Sequence, residues 1–346
     1  MKKSLQQVSG YALLGDELAL SPVDIFIENG VITAIEDNPR VPEVWICPAL
    51  FNAHTHLGDT IAMDCGTTGD LETLVTPPNG LKQRLLRAAS RQNLVWGMRA
   101  SMKGMIATGT AGCADFREGG IEGVLALQEA AAGLSFFPFV FGREGGETVA
   151  GGLGISSVRD VPDTGRLVKE AKRSGKKIAF HAGERDADDV DSALAYEPDL
   201  LIHMTHATKK QIRECAEREI PIAVCPRSNW TLGVASSCRH PPLALMEELG
   251  CTVCLGTDNA MFVAPDLFSE MAFVSTIYPL EPAAVFRAAV RGSTIFGPSF
   301  FIRQGSRANL FVVDPTRSAL RFSRDPLATL AKRANSAAIR TNVFSL

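Results

Sequence analysis

The sequence predicts an α/β fold: a TIM-like (β/α)8 barrel with a small β-sandwich domain formed by both chain termini. Three observations carry this. Between about residue 45 and residue 300, eight short apolar runs alternate with longer helix-like stretches, the texture of parallel strands joined by helical crossovers. Before and after that region the chain reads as short strands and turns. Five of the six histidines close apolar runs, at the strand ends where barrels keep their chemistry.

Residues 1–45 open the small domain. "DIFIENGVITAIED" at 24–37 alternates apolar and polar residues around Asn29-Gly30, a strong hairpin signal. The barrel is expected over 46–299. Its strands are expected at 44–54, 109–116, 134–142, 150–155, 176–184, 199–206, 220–226 and 251–258. Its helices are expected at 81–106, 121–132, 163–174, 208–218, 241–249 and 282–292. The fourth strand is glycine-rich and the least secure. An open doubly wound sheet ranks second, because no G-x-G-x-x-G opens a helix after the first strand. From 300 to 346 the texture returns to short strands, "SRANLFVVD" at 306–314 among them, so the two ends are expected to share one small β domain.

The bulk numbers exclude several classes. Of 346 residues, 46% are hydrophobic and 21% charged, with a formal net charge of −3. That is an ordinary globular composition without the basic excess of a nucleic-acid binder. No apolar run reaches the ~18 residues that read as a membrane span, and "MKKSLQQVSG" lacks the apolar region of a secretory signal. The eight cysteines lie mostly in apolar segments and read as reduced, buried thiols of a cytoplasmic protein. "CTVC" at 251–254 reads as part of a buried strand, with no second C-x-x-C to complete a zinc site. The expected partner is a small molecule, and a homo-oligomer is compatible with this composition.

His54 and His56 stand two apart in "FNAHTHLGDT", so on a strand they face the same side and can share a metal ion. Taken alone, the pair is equally a strand-end accident. His181 in "HAGE", His203 and His206 in "LIHMTH" and Asp258 in "GTD" close later strands. A third imidazole and a carboxylate complete a nitrogen and oxygen set suited to Zn²⁺ or Fe²⁺. His240, in "CRHPP", is expected on a loop. Arg117 and Arg143 follow the second and third strands, and a guanidinium fork there suits a substrate carboxylate, phosphate or heterocycle edge. Salt bridging between loops explains each arginine equally well. Asn229, two residues after Arg227 in "CPRSN", is expected to line the pocket. Glu144 is open as an extra ligand, and the glycine-rich stretch 142–154 reads as a mobile lid or as tight turns.

Together these blocks resemble the amidohydrolase superfamily. "PALFNAHTHLGD" is similar to its first-strand block. "CPRSN" resembles the seventh-strand block of the cytosine deaminase, guanine deaminase and triazine hydrolase branch. "AIEDNP…ICPALFNAHTH" and "GSRANLFVVD" resemble that branch's terminal β-sandwich segments. The resemblance covers almost the whole chain and singles out no substrate. It implies His54, His56, His181 and Asp258 as metal ligands, and His203, before His206, as the histidine that meets the reacting group.

No Lys or Glu closes the fourth strand to bridge two metals, and Lys176 and Lys177 open the fifth strand at the opposite barrel face. One divalent metal is therefore expected, Zn²⁺ before Fe²⁺. The implied activity is a metal-dependent aminohydrolase that releases ammonia from an aminated heterocycle, a purine, pyrimidine, pterin or similar ring. The resemblance makes Glu184 the proton shuttle to the ring nitrogen and the leaving amine. Asp258 takes the proton of the attacking water, and His203 steadies the developing alkoxide. A cyclic amide (C–N) hydrolase or a dechlorinating hydrolase of the same fold is the alternative. A catalytically silent binding protein fits the intact ligand set less well.

Overall fold

The computed structural model describes residues 5–65, 71–76 and 79–345; residues 1–4 and 346 of the expected terminal domain lie outside it. Eight strands pair in parallel, each with its neighbour in sequence. They are Leu50–His56, Thr110–Arg117, Phe137–Gly142, Gly152–Ile155, Lys177–Ala182, Leu200–His203, Ile222–Val224 and an eighth in two pieces, Val253–Leu255 and Asp258–Asn259. The first piece pairs with the seventh strand, and the second pairs with the first strand at Asp258↔Thr55 and Asn259↔His56. One short segment therefore closes the ring, giving the (β/α)8 barrel. Strand residues are almost all buried, because helices cover one face and the barrel interior the other. Such strands read as continuous apolar runs.

The run expected as one strand at 44–54 is two. Trp45–Pro48 belongs to a separate sheet, and Ala49 is the hinge: its N–H donates to Asn309 O while Leu50 N–H donates to Gly109 O. That separate sheet orders its strands as Ile339–Phe344, Asn309–Val313, Trp45–Pro48, Leu5–Leu14, Ala19–Glu28 and Val31–Asp37. It is antiparallel except where Tyr11–Ala12 run beside Trp45–Ile46. Both chain ends thus build it, with an apolar core of its own that includes Val23, Ile25, Ile46 and Leu310. Asn29 and Gly30 sit at φ 51° and 76°, the left-handed backbone that a two-residue hairpin turn demands.

The helices follow the expected order with informative differences. The stretch 81–106 splits into Leu81–Ala88 and Arg91–Ala107, because Ser90 caps the second helix by accepting from Asn93 N–H. "DPLATLAKRA", expected among strands, forms helix Pro326–Arg333, with Asp325 accepting from Ala328 N–H. No helix joins the third and fourth strands; a single 3-10 turn, Gly146–Thr148, makes the connection. Its glycines serve close approach: a Cβ on Gly142 would lie 2.3 Å from Glu147 N, and one on Gly146 2.7 Å from Gly120 O. Among the described residues, no helix is long and apolar enough to cross a membrane.

Candidate active site

His54 and His56 lie at the end of the first strand, and period-two alternation sends both rings to one side. Strand closure brings Asp258 to them: its Oδ1 lies 3.1 Å from His54 Nε2 and 3.5 Å from His56 Nε2. His181 closes the fifth strand, its ring centroid 4.8 Å from that of His54. His203 closes the sixth, 5.6 Å from His54 by the same measure. His203 and Asp258 both hold positive φ, 71° and 60°, a backbone setting uncommon for non-glycine residues and frequent at functional strand ends.

Three sets of donor atoms result. They are His54, His181 and His203; His54, His56 and Asp258; and Glu184, His203 and Asp258, with the atoms of each set within 4.8 Å of one another.

The outer nitrogens fix the rings. His56 Nδ1 donates to Phe116 O at 3.0 Å and His181 Nδ1 to Ile155 O at 2.9 Å. His203 Nδ1 faces Asn229 Oδ1 at 3.3 Å. Each ring is thereby held with its Nε2 lone pair turned inward, the arrangement in which a histidine ligates a metal. His54 Nδ1 is buried without a hydrogen-bond partner. Arg143 Nη2 stands against the His181 ring, 3.2 Å from Nδ1 and 3.3 Å from Nε2. Three buried imidazoles, two of them anchored from behind, and one carboxylate match the donor set of a divalent zinc-type ion.

Burial pushes the His54 imidazole down to about 3 and holds His181 well below the usual histidine range, with the Arg143 charge adding to it. Both shifts favour the neutral imidazole, the form that ligates a metal. Burial pushes Asp258 up, but its hydrogen bond to His54 and the surrounding imidazoles outweigh this and hold the carboxyl well below its ordinary range. Ser228 Oγ donates to Asp258 Oδ2 at 2.6 Å and fixes the outer oxygen. Glu184 differs: burial raises its pKa, and His203 offsets this only in part. Its Oε1 lies 3.5 Å from His203 Nε2. Glu184 shares with His56, His181, His203 and Asp258 a cavity of about 70 Å³.

A family model described as adenosine deaminase matches residues 156–295. A protein of Methanothermobacter thermautotrophicus named a putative aminohydrolase is 32% identical over 373 residues, covering 95% of this chain and 94% of its own length. The chain belongs to the amidohydrolase superfamily. A Halobacterium salinarum protein named 5-methylthioadenosine/S-adenosylhomocysteine deaminase is 26% identical, with 97% of this chain and 90% of that protein covered. The fold matches the crystal structure of an atrazine chlorohydrolase from Arthrobacter aurescens complexed with zinc. The TM-score is 0.79 at 16% identity, over 98% of this chain and 94% of the other. This amidohydrolase is of the deaminase type, a hydrolase of carbon–nitrogen bonds other than peptide bonds.

The remaining expected residues sit as follows in this amidohydrolase. Arg143 lines the small cavity. Arg117 does not reach it: it is 3% exposed and binds Glu118 Oε2 at 2.7 Å and Asp115 Oδ1 at 3.3 Å. Asn229, 1% exposed, commits its amide to His203 and to Thr205 Oγ1. Glu144 accepts from Gly119 N–H. His206 packs on His240 and bonds Val234 O, apart from the cluster. Lys176 donates to Thr148 O and Ala150 O, near the start of its strand.

Sequence reasoning missed Glu118, Lys82 and Asp59. Glu118 Oε1 lies 2.9 Å from His56 Nδ1, and Lys82 Nζ lies 2.9 Å from both Glu118 Oε1 and Asp59 Oδ2. Asp59 follows the histidine pair in "HTHLGD", a usable signal; Lys82 has none.

Proposed function

We propose that this amidohydrolase is a mononuclear zinc-dependent deaminase that releases ammonia from an aminopurine-type ring. One observation carries the reading. Donor atoms of His54, His56 and Asp258 lie within 4.8 Å of one another, as do those of His54, His181 and His203, and Glu184 and His203 share the cavity wall beside them. The similarity to proteins named for adenosine-type deaminases favours a purine over the other rings.

In this reading His54, His56, His181 and Asp258 would hold the metal, which would supply a water activated at neutral pH. Asp258, its outer oxygen fixed by Ser228, accepts the proton of that water. Glu184 then serves the two proton needs of the reaction: it gives its proton to the ring nitrogen, takes the remaining proton of the attacking water and passes it to the departing amine, and the proton held by Asp258 restores it. A raised pKa suits a carboxyl that must be protonated for part of the cycle. His203 faces Glu184 and steadies the negative charge that develops on the oxygen. Arg143 is the polar group beside the ring, and Asn229, outside the cavity lining, acts through His203. Six of the eight cysteines are buried, in keeping with a reducing, cytoplasmic setting.

Glu184→Gln tests the reading. Elemental analysis should find zinc at wild-type occupancy, while ammonia release from an aminopurine falls by about 10²–10⁴-fold. Wild-type turnover in this variant would remove Glu184 from the mechanism, and iron in place of zinc would correct the metal.

A further inference from the structure

The site cavity, about 70 Å³, adjoins a second of about 650 Å³. Gln83, Arg143, Ser156 and Asp160 line both. Ligand sites commonly enclose ~300–1,000 Å³, so the larger space has the size of a substrate and the smaller only that of its reacting end. The larger cavity lies where the barrel omits a helix. With no helix between the third and fourth strands, helices Gly120–Ala131 and Thr164–Arg173 flank the gap and give it Ala126 and Leu167. Much of the remaining wall is apolar, including Leu86, Leu94, Leu153 and Val161.

The charges of this wall narrow its ligand. Four arginines line it, Arg87, Arg91, Arg117 and Arg143. Arg117 and Arg143 both lean on Glu118, at 2.7 and 3.5 Å. Arg91 pairs with Glu129, and Arg87 also has a partner. Arg91, Arg117 and Arg143 are thus held in ion pairs, and five carboxylates share the wall with the arginines, so an anionic group entering here would compete with charges already present.

We infer that the reacting ring carries an uncharged, apolar arm that occupies this second cavity. The inference rests on the aminopurine deaminase reading and adds the shape of the substrate to it.

The test is calorimetric binding to the zinc-loaded Glu184→Gln protein of three probes: adenine, 9-pentyladenine and 9-(5-carboxypentyl)adenine. The pentyl arm should tighten binding about thirtyfold or more, since each buried methylene adds roughly a factor of three to four. The terminal carboxylate should remove most of that gain. Val161→Trp, which fills the cavity from a partly exposed loop, should bring the pentyl-to-adenine ratio close to one.

Equal binding of adenine and 9-pentyladenine overturns the arm and leaves the deaminase reading standing. Tightest binding of the carboxylate overturns it in favour of an anionic arm. If none of the three purines binds, the aminopurine reading falls and takes the arm with it. If the pentyl arm adds nothing and Val161→Trp halves the sedimenting mass, the cavity is instead filled by a second copy of the chain.

Discussion

Lys82 carries its charge at 4% exposure between Asp59 and Glu118. Burial works against that charge, but the two carboxylates outweigh it and the pKa is raised. Lys82→Met keeps the length of the side chain and leaves Asp59, fully buried, without its cation. An uncompensated buried charge costs roughly 3–5 kcal/mol. Urea denaturation should show a loss of that order in unfolding free energy with an unchanged slope. A loss below about 1 kcal/mol, the worth of an exposed pair, would mean that water reaches the cluster. Nothing in "GLKQRLLRA" marks this lysine, since on an isolated helix it reads as a solvated cation. Only the seating of helix Leu81–Ala88 above Asp59 buries it. His54 and His56 are a different case: their facing depends on strand period alone, so their common side could be read locally, while the approach of Asp258 needed the barrel to close.

At the level of elements, the connection after the third strand is closely packed. A Cβ on Gly142 would meet Gly146 C and Glu147 N at 2.3 Å, both backbone atoms that cannot swing away. Gly142→Ala should therefore cost about 1–3 kcal/mol, as overpacking does. It should also weaken zinc binding by shifting Arg143 and the neighbouring end of the fourth strand, where Ile155 O anchors His181. Thermal melting and zinc titration would check both; a variant as stable as wild type would show that the turn can relax. The eight barrel strands were legible because burial on both faces makes each an apolar run. Helix Leu267–Ile277 was not, because "LFSEMAFVSTI" is apolar around most of its circumference and so lacks the one-sided pattern that marks an amphipathic helix. Pro226–Thr231 is too short for periodicity to show, and the Pro at its first turn is equally a loop signal.

On the scale of the whole molecule, the proposed metal sits on the seam of the barrel. The ring closes through a two-residue ladder of Asp258 and Asn259 against Thr55 and His56, with Thr257 N–H donating to His54 O and Asn52 bonded to Thr257 beside it. The proposed ligands His54, His56 and Asp258 stand on that ladder, and His181 reaches across from the fifth strand. A bound ion therefore links the first and last strands where they pair over two residues. A ligand that binds only the folded state stabilises it by RT ln(1 + [L]/Kd), about 4 kcal/mol at a thousandfold excess over Kd. Chelation, verified by elemental analysis, should lower the melting temperature, and added zinc should restore it. Hydrogen exchange should localise the loss to residues 52–56 and 256–259, while the terminal sheet, with its own core, keeps its protection. Unchanged melting of the metal-free protein would place the ion outside the closure of the barrel. A uniform loss of protection across both sheets would mean that the barrel and terminal sheet unfold as one cooperative unit, with the seam as its common weak point.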